Sequence, residues 1–167
     1  MKHYIITLIV CVVAVLGCVI FFANARKNPE NDTIKEVTVS ADGTTNEQIK
    51  DITLGLNPSQ QQEYEIHLKC TSEGKYRINL SFKERNNGNM KKFVNVAVSA
   101  DGKSVYSGTL TELLDGGKDI SFDSDIKTDT PTKIKITYSM SHEVGNEAQG
   151  TLSTFDILLS AQGTAVS

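Results

Sequence analysis

The chain has 167 residues, enough for one domain of ordinary size once an export segment is set aside. It carries 17 Lys and Arg against 20 Asp and Glu, a formal net charge of −3 at pH 7. Because phosphate binding needs clustered basic residues and no such stripe occurs, this balance argues against nucleic acid as a partner. The absence of Trp similarly argues against a surface that stacks carbohydrate rings.

The N-terminal 25 residues are interpreted as a signal peptide or membrane anchor helix. Residues 5–22 are apolar with two exceptions, and Ala23-Asn24-Ala25 predicts signal-peptidase cleavage before Arg26. The apolar run is also long enough to span a bilayer as an uncleaved anchor, and lipidation at Cys18 is a third alternative. All three place the folded part outside the cytoplasmic membrane, so we predict a secreted protein of the extracellular matrix or cell surface.

The polar residues 26–33 predict a linker before the first strand. That strand is predicted over residues 34–40, where Val37 and Val39 share one phase. A second, less regular strand is predicted between Ile49 and Leu56.

The stretch Gln61–Arg85 has the clearest pattern in the chain, because apolar and polar residues alternate in two arms. The apolar rows are Tyr64, Ile66, Leu68 and Cys70 in the first arm and Tyr76, Ile78, Leu80 and Phe82 in the second. Period two predicts long strands, and residues 71–75 between them predict an antiparallel hairpin whose apolar face needs a second layer. Cys70 continues the first row, so we predict a buried core residue rather than a reactive thiol.

The second half predicts five more strands. Asp101-Gly102 joins the strand at residues 94–99 to the one at 104–110, and the pair predicts a hairpin because Asp-Gly favours positive φ. A short helical turn and a short strand are predicted next, followed by alternating residues 133–140. In the closing strand, residues 151–161, two leucines fall out of phase, which predicts a bulge or a strand covered on both faces. The out-of-phase residues are Leu152 and Leu158; those in phase are Phe155, Ile157 and Leu159.

About nine strands separated by regular turn signals predict an all-β fold for residues 34–167. We expect an antiparallel β-sandwich of jelly-roll-like or immunoglobulin-like topology, preceded by the hydrophobic signal or anchor helix.

No catalytic, cofactor-binding or metal-binding residues are predicted. His142-Glu143 begins like a zinc-protease motif, but Glu147 stands where the second histidine should be. His67 is expected on the outer face of its strand. The acidic residues between Asp119 and Asp129 match no calcium loop and predict a solvated loop. We therefore predict that the protein is not an enzyme.

Several segments together resemble the TasA and camelysin family of exported bacterial proteins, which build biofilm-matrix fibres from jelly-roll subunits. The segments are Val105–Leu110 with Glu112–Leu114 after it, Ile134–Met140, Gly145–Gly150, Phe155–Ile157 and Ala161-Gln162.

The resemblance implies a jelly-roll-like structural protein that self-assembles into fibres by donating its N-terminal segment to the next subunit. By position, the donor is Thr33 to Ser40, with Thr33, Ile34, Val37 and Val39 as the self-association residues. The expected partners are further copies of the chain and other matrix or accessory subunits, with the membrane reached only through residues 5–25 if that segment is uncleaved. Two alternatives stay open: an anchored accessory or adhesin domain that does not polymerise, and a secreted camelysin-like metalloendopeptidase.

Overall fold

A computed structural model describes residues 33–40, 44–148 and 150–165. The predicted signal or anchor segment, residues 1–25, lies outside the described residues, as does the linker up to Asp32. Within the described part, no helix has the length and hydrophobicity needed to cross a membrane.

Nine strands account for most of the described chain. They are β1 (Thr33–Val39), β2 (Thr44–Leu54), β3 (Gln61–Cys70), β4 (Gly74–Glu84), β5 (Val94–Ala100), β6 (Lys103–Thr109), β7 (Ile120–Ile126), β8 (Thr132–Met140) and β9 (Ser153–Ala165). Between them lie one short α-helix, α1 (Leu110–Leu114), and two 3₁₀ turns, Asn89–Lys92 and Asn146–Ala148.

The strands form two sheets with the orders β1-β3-β8-β5-β6 and β2-β9-β4-β7. Among the described strands, neighbours pair antiparallel except β1 and β3, which pair parallel. Apolar residues at alternate strand positions are buried between the sheets in one core. The prediction of an antiparallel β-sandwich of about nine strands is therefore confirmed.

The predicted central hairpin is wrong. β3 pairs with β1 and β8 in one sheet, while β4 pairs with β7 and β9 in the other. The two arms are strands as predicted, and both apolar rows are buried, but residues 71–73 carry the chain from one sheet to the other. Alternation fixes which face of a strand is buried without fixing which strand lies beside it.

The hairpin of β5 and β6 is confirmed. The two strands pair from Asn95↔Thr109 to Ala100↔Lys103. At the turn, Asp101 has φ 47° and Gly102 has φ 78°. Positive φ at both central residues is what a type I′ hairpin turn requires.

The expectation for the closing strand is corrected at both leucines. Leu152 precedes β9 and is exposed, and Leu158 lies on the outer face with 40% of its surface exposed. The irregularity belongs to β2, where the register with β9 shifts between Ile49 and Ile52. β9 therefore continues in phase through its buried residues Phe155, Ile157 and Leu159.

Cys70 is buried, as predicted, and its thiol lies 3.4 Å from the carbonyl oxygen of Ile126. Burial, together with the nearby charge of Glu73, raises the pKa of this thiol. The thiolate is the reactive form, so both effects suppress reaction with alkylating reagents.

We therefore expect a thiol reagent to modify Cys70 in the native protein at least about tenfold more slowly than in the denatured chain. The chain from Arg26 onward suits this measurement, because Cys70 is its single cysteine. Equal labelling rates in buffer and in denaturant would contradict the burial of this residue.

Candidate functional site

The segment predicted to mediate self-association forms β1, at the edge of the five-stranded sheet. It runs parallel to β3 in the register Thr33↔Tyr64 through Val39↔Cys70. Within the part of the chain that the structure describes, no strand pairs with its other side. The N–H of Thr71 donates to the carbonyl oxygen of Val39 at 3.2 Å, which closes the far end of this ladder.

β1 places few side chains in the core. Val37 and Val39 are buried, opposite Leu68 and Cys70 of β3, whereas Ile34 is 57% exposed. Burying a valine contributes about 1.5–3 kcal/mol at most. Because Val37 and Val39 are the buried side chains of β1, these two valines and the main-chain ladder to β3 supply most of the attraction that holds the strand.

The four predicted residues therefore have different positions. The two valines face the core, Ile34 faces outward, and Thr33 begins the strand opposite Tyr64. A strand with two buried side chains and one open edge can pair with a sheet mainly through its backbone.

Two ion pairs connect β1 to the strands around it. Lys35 Nζ lies 3.2 Å from Glu47 Oε1 of β2, in the other sheet. Lys69 Nζ of β3 lies 2.9 Å from Glu36 Oε2. The hydrogen bond and the charge of Lys69 hold the pKa of the Glu36 carboxyl below its ordinary value. Sequence reasoning missed both pairs, because Lys69 is brought to Glu36 by the register of β1 with β3, and Glu47 is brought to Lys35 by the packing of the other sheet.

The outer face of β3 continues this pattern of charges. His67 lies on that face, as predicted, and its ring nitrogen Nε2 forms a hydrogen bond with Oε1 of Glu65. Lys135 Nζ of β8 lies 2.7 Å from Glu63 Oε2. Cross-strand pairs of opposite charge stabilise such a face and keep it soluble.

The remaining candidate residues lie apart from one another. His142 is exposed, and so are the acidic residues between Asp119 and Asp129. The prediction of a loop is wrong for Asp123 and Asp125, which lie in β7 with their side chains on its exposed face. Asp123 of that stretch pairs with Arg77 at 3.0 Å. Among the described residues, no group of three His, Cys, Asp or Glu side chains is arranged to hold a metal ion.

A buried carboxylate was not predicted. Asp156 lies on the outer side of β9, yet it is fully buried beneath the irregular part of β2. Its Oδ1 accepts the N–H of Asp51 at 3.0 Å, and its Oδ2 lies 2.8 Å from Gln48 Nε2 and 2.7 Å from Arg85 Nε. Burial raises the pKa of this carboxyl, but the bonds from Asp51, Arg85 and Gln48 outweigh burial and lower the pKa below its ordinary value.

A buried amine was also missed. Lys91 Nζ lies 2.8 Å from Glu84 Oε1 and 2.7 Å from Asp115 Oδ1, and only 7% of its side chain is exposed. The hydrogen bonds to Asp115 and Glu84 raise the pKa of Lys91. An amine held protonated by two carboxylates connects three chain segments and has no nucleophilic character.

No protein-family model matches the chain, and no curated protein matches it. Several solved structures are similar to this chain at low sequence identity. The periplasmic inhibitor of g-type lysozyme from Aeromonas hydrophila is 17% identical, with 78% of this chain and 100% of that chain covered and a TM-score of 0.38.

Two further structures are similar at the same level. The CUB1-EGF-CUB2 domains of rat MASP-1 are 13% identical over 81% of this chain and 44% of that chain, with a TM-score of 0.37. The pre-peptidase C-terminal domain of a Bacillus anthracis collagenase is 9% identical over 81% of this chain and 100% of its own, with a TM-score of 0.34. Similarities this distant carry no argument about function.

Proposed function

We propose that the protein is an extracellular structural protein whose subunits assemble into biofilm-matrix fibres by exchanging β1. The observation that carries this proposal is the attachment of β1, a parallel edge strand with Val37 and Val39 as its buried side chains. Such a strand can leave its own sheet without removing the central part of the core.

Exchange of β1 replaces each lost contact by the same contact in a neighbouring copy. The β1 of one copy would pair with the β3 of the next, and its two valines would fill the same positions between the sheets. Because the contacts are equivalent, a high subunit concentration favours the exchanged form without requiring any new interface. In the proposed fibre, each copy gives its strand to one neighbour and receives a strand from another, so the contact is heterologous and, where it does not close into a ring, propagates into a filament.

The strand orders support the finer topology that the resemblance implies. In a jelly roll, eight strands form two four-stranded antiparallel sheets. Here β2-β9-β4-β7 and β3-β8-β5-β6 match that arrangement, and β1 adds a ninth strand beside β3. This jelly-roll-like subunit with an added edge strand is the one we propose for the fibre.

The proposed location is outside the cytoplasmic membrane, secreted into the matrix or held at the cell surface. The apolar run of residues 5–22, followed by Ala23-Asn24-Ala25, supports export of the folded part.

The chain from Arg26 onward should form filaments, and the chain from Asp42 onward should remain folded and monomeric. The shorter chain lacks β1, so it has a free β3 edge but no strand to give. Electron microscopy detects the filaments, circular dichroism measures folding, and light scattering measures the size of the particles.

Two point variants provide a matched comparison within the longer chain. Val37→Asp places a carboxylate in a buried position and should abolish filaments, because an unpaired charge cannot be buried. Thr38→Asp introduces the same group at an exposed position of the same strand, outside the four predicted self-association residues, and should leave filaments intact. If the shorter chain polymerises as readily as the longer one, β1 is not the donor and the accessory-domain alternative is favoured.

A further inference from the structure

We propose that two ion pairs, Lys35–Glu47 and Glu36–Lys69, together fix the register of β1 and select the sheet that receives it. We call this pair of contacts the charge code. The selection between copies rests on the proposed exchange of β1; the fixing of register does not.

The two pairs connect β1 to both sheets at once. Lys35 is in phase with the buried valines and reaches Glu47, two residues before the buried Ile49 of β2. Glu36 points to the opposite face and meets Lys69 of β3. Adjacent residues of β1 thus present a positive charge to one sheet and a negative charge to the other.

Neither the backbone nor the valines specify this register by themselves. The hydrogen-bond pattern of a parallel ladder repeats every two residues, so a slip of two residues keeps it. One such slip places Val39 in the position of Val37 and brings Ala41, a small apolar residue in the sequence, to the position of Val39. The slipped strand still presents apolar groups to the core.

The same slip destroys both ion pairs. It brings Val37 to the position of Lys35, beside Glu47, and Thr38 to the position of Glu36, beside Lys69. Both Glu47 and Lys69 lose their counter-charges, so the observed register satisfies them and the slipped register does not. The pair Glu36–Lys69 is exposed and the pair Lys35–Glu47 is half-exposed, so each contributes little to stability. Together, however, they favour the observed register over the slipped one.

Three variants of the full chain, kept in detergent with its N-terminal segment, test the code. The strand-reversed variant carries Lys35→Glu and Glu36→Lys, and the acceptor-reversed variant carries Glu47→Lys and Lys69→Glu. Both keep the net charge of the chain and set like charges against each other at the two contacts. The third variant carries all four substitutions and restores opposite charges.

Hydrogen exchange read by mass spectrometry reports how firmly β1 is docked. We expect β1 amides to exchange about tenfold faster in each reversed variant and at the wild-type rate in the fourfold variant. Mixing the two reversed variants should restore protection in both, because the strand of each then matches the acceptor of the other. Their β1 peptides have equal masses, because Lys35→Glu with Glu36→Lys only reverses the order of the two residues. One variant is therefore produced with uniform ¹⁵N, so that the two chains are distinguished within one sample.

Wild-type protection in the reversed variants, or lost protection in the fourfold variant, would overturn the code. If the protection of β1 against hydrogen exchange is restored in the fourfold variant but not in the mixture, the result supports the code within one chain and overturns exchange between copies. Restoration in the mixture would support both the code and the proposed function.

Discussion

Replacing Asp156 by Ala is expected to lower the free energy of unfolding by about 3–5 kcal/mol. The carboxylate is fully buried and is the acceptor for Asp51, Gln48 and Arg85. Its removal leaves a backbone N–H without an acceptor and a guanidinium without its counter-charge. Urea denaturation of the chain from Arg26 onward gives the difference.

The control is Asp119→Ala, because Asp119 is an exposed residue of the same type. We expect a change within about 0.5 kcal/mol there, as for surface substitutions in general. Equal effects at the two positions would contradict the role assigned to the buried carboxylate.

The same group predicts a pH dependence. The folded state lowers the pKa of Asp156 below its ordinary value of 3.8. The ionised group therefore contributes stability that is fully present above the ordinary pKa and is lost as pH falls through the folded-state pKa. Below about pH 4, the stability difference between wild type and Asp156→Asn should shrink. A difference that stays constant between pH 7 and pH 3 would contradict this ionisation.

The sequence predicted the strands and their buried faces, because period two is a local property. The row from Tyr64 to Cys70 and the row from Tyr76 to Phe82 are both buried as expected. Pairing is not local. The predicted central hairpin failed because the turn residues 71–75 are compatible both with a hairpin and with a crossing between two sheets.

The edges of the sheets were least predictable. β1 pairs parallel with β3 while β2 lies in the other sheet, and no pattern in residues 33–54 encodes that placement. Asp156 stands at an outward phase of β9 and would be solvated if β2 were regular. The displaced backbone at Asp51, with φ 58°, covers it instead. The only sign of this buried carboxylate in the sequence was that an acidic residue stands between two apolar ones.

The candidate site likewise contains some residues that the sequence predicted and others that it did not. The resemblance and the position along the chain together selected the segment Thr33 to Ser40, whose role as a donor stays a prediction. Val37 and Val39 are both buried, as their shared phase predicted. Lys35 and Glu36 had no predicted role, since Glu47 and Lys69 are brought to them only by the packing of β2 and β3.

The core of the five-stranded sheet should be sensitive to the loss of side-chain volume. Ile136 of β8 is fully buried between β3 and β5, opposite Tyr64 and Val98. Ile136→Ala removes three carbon atoms at a position where both neighbouring strands are held in register. We expect a loss of about 2–5 kcal/mol, toward the upper end because the surrounding strands cannot collapse into the cavity.

Leu68→Ala tests the same core where β1 joins it. Leu68 is also fully buried, but it lies opposite Val37 of the edge strand, which can shift to fill part of the cavity. Its loss should lie nearer the lower end of about 2–5 kcal/mol and should be accompanied by faster hydrogen exchange in β1. Leu158→Ala, the same substitution at a half-exposed position on the outer face of β9, should cost less than about 1 kcal/mol. A Leu158→Ala variant as destabilised as Ile136→Ala would mean that the outer face of the four-stranded sheet is covered in solution and that Leu158 is buried there.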